Sequence, residues 1–360
     1  MASQKVRVGI IGTGFGADVQ LPAFLGLKDA EVVAIASSDP KRSLALQKKF
    51  KLPMAFESYD ALLECDEIDL VSIATAPMHH EHLVRKAIEM GKNILCEKPF
   101  TMSSNVAKNL LKEANAAHII HATDFGFRDT PALQFFVSRL MAGVTGRIVF
   151  GELRWTTDTW SDPKRSWDWH CDRAQGGGVL GAFGVHLYNI AESILGGLSK
   201  IQAETHIAKP ERKDDGGEMK PVTSENSATI DLQGQYGIPV RIVTSNVDAE
   251  GTGFGISVRG EKGVLLLESV SQEYGSRMRV REGTSPAASK VVYEDPKTPA
   301  GVDGRIAQFQ PLAARLLTAI QAGDRTFAPS FQDGVRAQMF LEAARESADT
   351  RSPVNIGKTL

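Results

Sequence analysis

The sequence predicts an α/β protein in two parts, a parallel sheet with helices first and an α/β part built on a large, mostly antiparallel sheet after it. Three observations carry this. Short β-rich runs alternate with amphipathic helical patterns up to about residue 122. Beyond residue 123, strand candidates follow one another without long helices between them. The chain has 360 residues, which at roughly 100–200 residues per domain suits two domains. The boundaries read 1–122 and 123–360.

In the first part, residues 5–11 (KVRVGII), 32–36 (VVAIA), 70–74 (LVSIA), 93–96 (NILC) and 118–122 (HIIHA) are strand candidates. Helical patterns over 41–50, 59–63, 80–90 and 103–115 separate them. In 80–90 the apolar residues Leu83, Val84, Ala87 and Ile88 recur at helical spacing and mark one buried face. Strands alternating with helices imply βαβ units and a parallel sheet. In the second part a helix over 132–141 leads to strand candidates at 147–156, 201–207, 226–232, 239–246, 255–258, 264–267, 277–280 and 290–293. Strands joined without crossover helices pair antiparallel. The charged stretch 209–220 (KPERKDDGGEMK) reads as a solvated loop or hairpin tip, and Gly260–Gly263 as a turn. Helices over 306–321 and 331–348 close the chain.

The formal net charge of −2, with 42% hydrophobic and 23% charged residues, offers no basic surface for nucleic acid and no polybasic membrane patch. The N-terminus MASQKVRVGIIG lacks signal-peptide features, and no apolar stretch approaches the roughly 20 residues that span a bilayer. Cys65, Cys96 and Cys171 are widely spaced, which fits a reducing compartment and no zinc pair. A cytoplasmic location is expected, with no membrane or nucleic-acid partner.

Directly after the first strand, Gly12, Gly14 and Ala17 form G-x-G-x-x-A, with Phe15 and Gly16 inside the loop. The first glycine permits a tight turn, the second lets backbone approach a pyrophosphate, and the third small residue lets helix and strand pack closely. Pro22 kinks or shortens the helix that follows. An acid that holds the ribose hydroxyls of NAD is expected at the end of the second strand. Ser37 and Ser38 stand there instead, and Arg42 is placed to face a 2′-phosphate. NADP is favoured on this logic; Asp39, which can instead cap the next helix, keeps NAD open.

At the end of the strand 93–96, Glu97-Lys98-Pro99 faces the ligand crevice of an open parallel sheet. A lysine here can hydrogen-bond a substrate oxygen or move a proton once its pKa, about 10.4 when free, is lowered. Glu97 is placed to hold the ammonium; a plain surface Glu-Lys pair is the other reading. His79, His80 and His82 lie at a helix start with no acidic partner at ligand spacing, so no metal is expected there.

All four tryptophans, Trp155, Trp160, Trp167 and Trp169, fall within one short polar stretch. This favours pocket walls over core, with Asp158, Arg165, Asp168 and His170 placed to fix hydroxyls. The run GGGVLGAFGVH then leads into a helix over 179–195 whose stripe is Leu180, Phe183, Leu187, Ile190 and Ile194. Ala182 and His186, four residues apart, share another face.

In order and spacing, GIIGTGFGA, TAPMHHEHL, KAIEMGKNILCEKP, FGFRDTP, GGGVLGAFGVH and EAARESA resemble the Gfo/Idh/MocA oxidoreductases over nearly the whole chain. The resemblance implies a Rossmann-like domain followed by an α/β domain with a large open sheet. It also implies hydride transfer between NAD or NADP and a hydroxyl or carbonyl carbon of a sugar, cyclitol or related polyol. Lys98 takes the family's catalytic-lysine position, with His186 as its proton donor or acceptor. Thr75, Ala76, Pro77 and His80 match the TP-x-x-x-H turn near the nicotinamide, Ala76 standing where proline is usual. Trp169 and Glu97 fall on the cofactor side, and Arg128, Trp155, Asp168 and His186 on the substrate side. The triple glycine is expected to bring backbone close to the nicotinamide. Many members carry Asp at the position of Ala182. That departure favours one alternative, a dinucleotide-binding regulator without net chemistry; a nicotinamide-assisted lyase or glycosidase, which would use the same residues, is another. The open sheet implies a homodimer or homotetramer.

Overall fold

A computed structural model describes residues 4–273 and 275–357. Contacts divide the chain into two compact units: residues up to Gly126 together with Arg305–Gln338, and Phe127–Gly304 together with Met339–Lys358.

The first unit is built on a six-stranded sheet among the described residues. Its strands are β1 (Val6–Ile11), β2 (Ala30–Ala36), β3 (Met54–Phe56), β4 (Leu70–Ile73), β5 (Asn93–Cys96) and β6 (His121–Thr123), in the order β3-β2-β1-β4-β5-β6 and parallel throughout. The helices between them are α1 (Leu21–Leu25), α2 (Pro40–Phe50), α3 (Tyr59–Leu63), α4 (His80–Glu89) and α5 (Ser104–Ala116). Their starts are chemically specified: Ser58, Ser103 and Asp39 each accept a backbone N–H of the first turn, and Pro40 opens α2. Chain order reverses direction between β1 and β4. This switch point is where ligands bind in open α/β sheets, beyond the carboxyl ends of the strands.

The helix α8 (Gly304–Ala322) and the first residues of α9 (Phe331–Thr350) belong to this unit, whereas the sequence alone predicts 123–360 as one domain. Phe309, Leu312, Leu316 and Leu317 join Val8, Ile10, Phe24, Ile35 and Leu95 in one core. Phe24 and Phe309 meet edge to face at 5.5 Å. Helical periodicity specifies that a face is buried; it does not specify what buries it.

The second unit holds α6 (Pro131–Met141), α7 (Val185–Leu195) and the strands β7 (Ile148–Thr156), β8 (Lys200–His206), β9 (Glu211–Lys213), β10 (Met219–Pro221), β11 (Ser227–Gln233), β12 (Pro239–Ser245), β13 (Gly253–Gly260), β14 (Val264–Ser269), β15 (Met278–Gly283), β16 (Lys290–Glu294) and β17 (Val354–Asn355). Nine of them form one sheet, ordered β16-β15-β14-β13-β7-β12-β11-β8-β17. Every pair is antiparallel except β7 with β12. Alternation sets its inner face: Ala228, Ile230 and Leu232 of β11 are buried while Thr229, Asp231 and Gln233 are exposed. The charged stretch 209–220 is the β9–β10 hairpin.

The helix over 179–195 is not one regular α-helix. Leu180–Gly184 is a π-helical turn, and α7 continues from it. The helical run Arg173–Leu195, with mean hydropathy 1.2, is long and apolar enough to cross a membrane, a candidate that the sequence alone did not suggest. Its apolar window is 72% buried inside the protein. The cause is that α7 packs on several faces, with His186, Leu187, Tyr188, Asn189 and Ile190 all buried. Tyr188 stacks on Phe340 at 4.4 Å.

Candidate functional site

At the end of β1 the chain turns at Gly12 with φ +106°, against the end of β4. A Cβ on Gly12 would lie 2.3 Å from the Ala74 carbonyl oxygen, so only glycine fits. A Cβ on Gly14 would meet nothing within 4 Å. Gly16 closes against Ile10 and Ala74. One glycine therefore serves packing and another faces open space, the arrangement a pyrophosphate cradle requires. The following turn, Gly16–Gln20, is π-helical, and α1 follows with Pro22 in its first turn.

Ser37 and Ser38 follow β2. The buried Ser37 hydroxyl pairs with Thr13 Oγ1 at 3.1 Å, and the Asp39 N–H donates to it. Arg42 donates from its guanidinium to the Thr13 carbonyl at 2.6 Å, tying α2 to the glycine loop. The Asp39 carboxylate accepts the Lys41 N–H at 3.0 Å as the cap of α2.

Thr75, Ala76 and Pro77 form the turn after β4, and His80 opens α4. The His80 ring is fully buried and faces backbone, with Nδ1 3.0 Å from the Pro99 carbonyl and Nε2 3.0 Å from that of Thr75. It thus links the β4 turn to the Glu97-Lys98-Pro99 turn. Burial lowers its pKa to about 4, although the facing carbonyls pull the other way.

The turn after β5 brings together more acid than the sequence alone predicts. Gln20 Nε2 donates to Glu97 Oε1 at 2.9 Å, and the Ser72 hydroxyl donates to Gln20 Oε1 at 2.8 Å. Asp124, one residue beyond β6, accepts the Gly126 N–H at 3.0 Å and donates its own backbone N–H to the Cys96 carbonyl at 2.8 Å, which places it beside Glu97. Glu97 also accepts the Lys98 backbone N–H at 3.3 Å. Burial, then the Asp124 charge, push Glu97 well above the usual carboxylate range, and burial raises Asp124. Burial lowers Lys98, against the opposing pull of the two carboxyls. Gln20, Ser72 and Asp124 were missed from sequence. Asp124 was within reach of the strand-end rule that selected Lys98.

In the second unit His186 lies at the start of α7 among rings. Its ring is 5.2 Å from Phe127 and 5.9 Å from Trp155. Trp155 in turn stacks on Phe183 at 4.4 Å and meets Phe127 and Phe254. Ala182 occupies the π-turn. Phe127, Phe183 and Phe254 come from three separate segments, and no local sequence signal joins them. Arg128 sits in the short 3₁₀ turn Gly126–Asp129.

The four tryptophans do not form one wall. Trp155 belongs to the His186 cluster, while Trp160 packs with Cys171, Val222 and Trp167. Two guanidinium groups approach the Trp160 ring, that of Arg165 at 3.9 Å and that of Arg212 at 5.1 Å from its centroid. Trp169 stacks on His170 at 3.7 Å, and Trp167 donates from Nε1 to the Pro221 carbonyl. Asp168 caps the turn Trp169–Cys171 and accepts both the His170 N–H and ring Nδ1 at 2.8 Å, which holds its carboxyl below the usual range despite burial. Asp158 is exposed.

The glycine run is explained by protein neighbours. A Cβ on Gly177 would lie 2.4 Å from the His170 carbonyl oxygen, and one on Gly178 (φ +107°) 2.2 Å from Glu225 Oε1. The buried Glu225 carboxylate pairs with Arg345 at 3.1 Å, and Arg345 also donates to the Gly177 carbonyl. The close backbone approach expected toward a nicotinamide is here an approach to the Glu225–Arg345 pair.

A parallel sheet with a glycine loop at its switch point, followed in the same chain by a large mostly antiparallel sheet, defines a dinucleotide-binding oxidoreductase architecture. The profile described as "Oxidoreductase family, NAD-binding Rossmann fold" matches residues 6–125, and its partner, "C-terminal alpha/beta domain", matches 137–356. The chain belongs to the Gfo/Idh/MocA oxidoreductase family. It is 30% identical over 353 residues to an uncharacterised oxidoreductase of Synechocystis sp., covering 96% of this chain and 94% of that one. It is 27% identical to levoglucosan dehydrogenase of Pseudarthrobacter phenanthrenivorans, over 58% of this chain and 56% of the relative. Among solved structures it shares the fold of a levoglucosan dehydrogenase in complex with NADH and L-sorbose, with TM-score 0.88, 21% identity, and 99% and 100% of the two chains covered.

Proposed function

We propose that this protein is an NAD(P)-dependent dehydrogenase or reductase acting on a CH–OH or carbonyl carbon of a sugar, cyclitol or related polyol, with NADP favoured. The observation that carries the reading is Lys98, held at the carboxyl end of β5 with its pKa lowered by burial beside Glu97 and Asp124. A lysine so placed hydrogen-bonds the reacting oxygen, polarising a carbonyl or stabilising an alkoxide. The nicotinamide, when bound, supplies or accepts the hydride. Gly12, Gly14, Phe15 and Gly16 would hold the pyrophosphate, and Thr75, Ala76, Pro77 and Trp169 the nicotinamide side. His186 takes the proton-exchange role, chemistry for which an imidazole is suited. Arg128, Trp155 and Asp168 are assigned to the substrate. Relatives named levoglucosan and D-apiose dehydrogenases support a carbohydrate substrate.

The preference for NADP rests on the end of β2. The acid nearest to it, Asp39, is engaged as a helix cap, while Ser37, Ser38 and Arg42 line the loop. Ser37→Asp should move preference toward NAD by about tenfold or more, the worth of a single hydrogen bond to the ribose. Equal affinity of the parent protein for both dinucleotides, measured by fluorescence titration, contradicts the assignment. A cytoplasmic homo-oligomer packed through the nine-stranded sheet completes the reading.

The test of the chemistry is a panel of sugars and cyclitols, in hydroxyl and carbonyl forms, followed by NADPH absorbance. Lys98→Met should abolish turnover with dinucleotide affinity retained; turnover at the parent rate removes Lys98 from the mechanism. Ala182, where many relatives carry Asp, favours a second reading as a dinucleotide-responsive regulator. Absence of net NADP(H) turnover across the panel, with tight dinucleotide binding, would select it.

A further inference from the structure

We propose that His80 is a positioning residue for Lys98: a neutral imidazole that carries its one proton on Nδ1 and donates it to the carbonyls of Pro99 and Phe100, leaving the Thr75 carbonyl without a hydrogen bond from the ring. Donor counting forces a choice of this kind. Among the described residues the ring meets three backbone carbonyls, those of Pro99 at 3.0 Å and Phe100 at 3.2 Å on Nδ1 and that of Thr75 at 3.0 Å on Nε2. A carbonyl only accepts, and a neutral imidazole has one N–H. One ring nitrogen therefore faces an oxygen with no proton between them. An imidazolium would satisfy all three carbonyls, but His80 is fully buried and its ring hydrogen-bonds no carboxylate. A buried charge without a counter-ion is the costlier state. The neighbouring titratable group, His79, also opposes a second proton when it is charged.

Burial decides which nitrogen holds the proton. Pro99 and Phe100 are buried, so their carbonyls have no water to turn to, whereas Thr75 is half-buried. An acceptor cut off from water costs most when it is left unbonded. A proton on Nδ1 serves two such carbonyls. A proton on Nε2 serves one, on a less buried residue.

The Lys98 turn gains an anchor from this. Before Lys98, the Glu97 N–H donates to the Ile73 carbonyl at 2.9 Å and ties the chain to β4. After Lys98 comes Pro99, which brings no N–H, so the backbone group it offers is its carbonyl. His80 takes that carbonyl from α4, which packs on β4 and β5 and buries Leu83, Val84 and Ala87. Both ring nitrogens face the protein's own backbone, so His80 acts through the Lys98 turn and not by touching a dinucleotide.

The test uses the full chain with histidine rings labelled with nitrogen-15. The His80 signals are assigned by ring-proton contacts to Pro99 and by their loss in His80→Asn, so the tautomer is read on the parent whether or not a variant folds. Near pH 7, couplings from the ring carbon protons should show Nδ1 protonated and Nε2 bare. A proton on Nε2, or on both nitrogens, overturns the proposal. Two substitutions then separate a donor from packing. Asparagine places its amide NH2 near the position of Nδ1, and glutamine near that of Nε2. Lysines are carbon-13 labelled at Cε, the Lys98 signal assigned by its loss in Lys98→Met. His80→Gln should move the Lys98 titration by about half a pH unit or more, and His80→Asn by less than half as much. An equal or larger shift in His80→Asn, or no shift in His80→Gln, overturns the positioning role. That His80 matters to turnover rests on the role proposed for Lys98 above. Parent-rate turnover by Lys98→Met defeats that role alone and leaves the ring spectrum and the Lys98 titration to decide what His80 does.

Discussion

Two glycines separated by one residue should fail in opposite ways when replaced by alanine. In Gly12→Ala the new Cβ meets the Ala74 carbonyl oxygen at 2.3 Å and its carbon at 2.6 Å, both backbone, at φ +106°. The left-handed conformation costs a non-glycine residue about 1–2 kcal/mol, and overpacking against backbone that cannot rotate away adds about 1–3 kcal/mol. The sum, about 2–5 kcal/mol, is a large fraction of the 5–15 kcal/mol that typically holds a domain. For a unit of this size it lowers the thermal midpoint on the order of 10 °C. In Gly14→Ala the Cβ meets nothing within 4 Å, so stability should change by less than about 0.5 kcal/mol. Its cost falls on the dinucleotide, because the methyl group projects where backbone must approach the pyrophosphate. Urea denaturation without dinucleotide, paired with NADPH fluorescence titration, separates the two effects. If Gly12→Ala unfolds at the parent midpoint, or Gly14→Ala loses as much stability as Gly12→Ala, the packing argument for this loop is wrong.

Two further predictions concern stability. His80 stays neutral in the native state down to about pH 4, whereas an unfolded histidine titrates near 6.5. Between those values the unfolded chain binds more protons, so the contribution is intact above pH 6.5 and is lost as pH falls toward 4. The loss amounts to about 3 kcal/mol, and His80→Gln should flatten the slope of unfolding free energy between pH 6.5 and 4.5; His121, also lowered to about 4 by burial, should contribute a separate, similar slope. Arg345→Met leaves the Glu225 carboxylate, 5% exposed at its side chain, without its cation. This should cost about 3–5 kcal/mol by urea titration, with Arg345→Lys recovering part of it.

Much of the first unit was legible because its signals are local. The glycine loop, the strand-helix alternation and the cap Asp39 lie within a few positions of what they control. The second sheet was legible as a series of strands, and its antiparallel character followed from the missing crossovers. Its one parallel pair, β7 with β12, joins strands separated by β8–β11, which no local pattern could reveal. The tryptophan stretch misled for a related reason. Four rings close in sequence went to two clusters because β7 ends at Thr156 and carries Trp155 into the sheet, while the following loop packs against the β9–β10 hairpin.

The sequence by itself determined the family, the fold class, the dinucleotide loop and the strand end that carries Lys98. Those depend on residue type at fixed short spacing, where backbone conformation and hydrogen-bonding capacity are decided. The tertiary structure alone decided what surrounds these groups. It placed Gln20 on Glu97 and Asp124 on the Cys96 carbonyl beside it, three aromatic rings around His186 and Trp155, and α8 in the core of the first unit. It also turned the triple glycine toward Glu225. Burial and charge proximity arise from residues distant in the chain, and these set whether a lysine, a histidine or a carboxyl holds its proton.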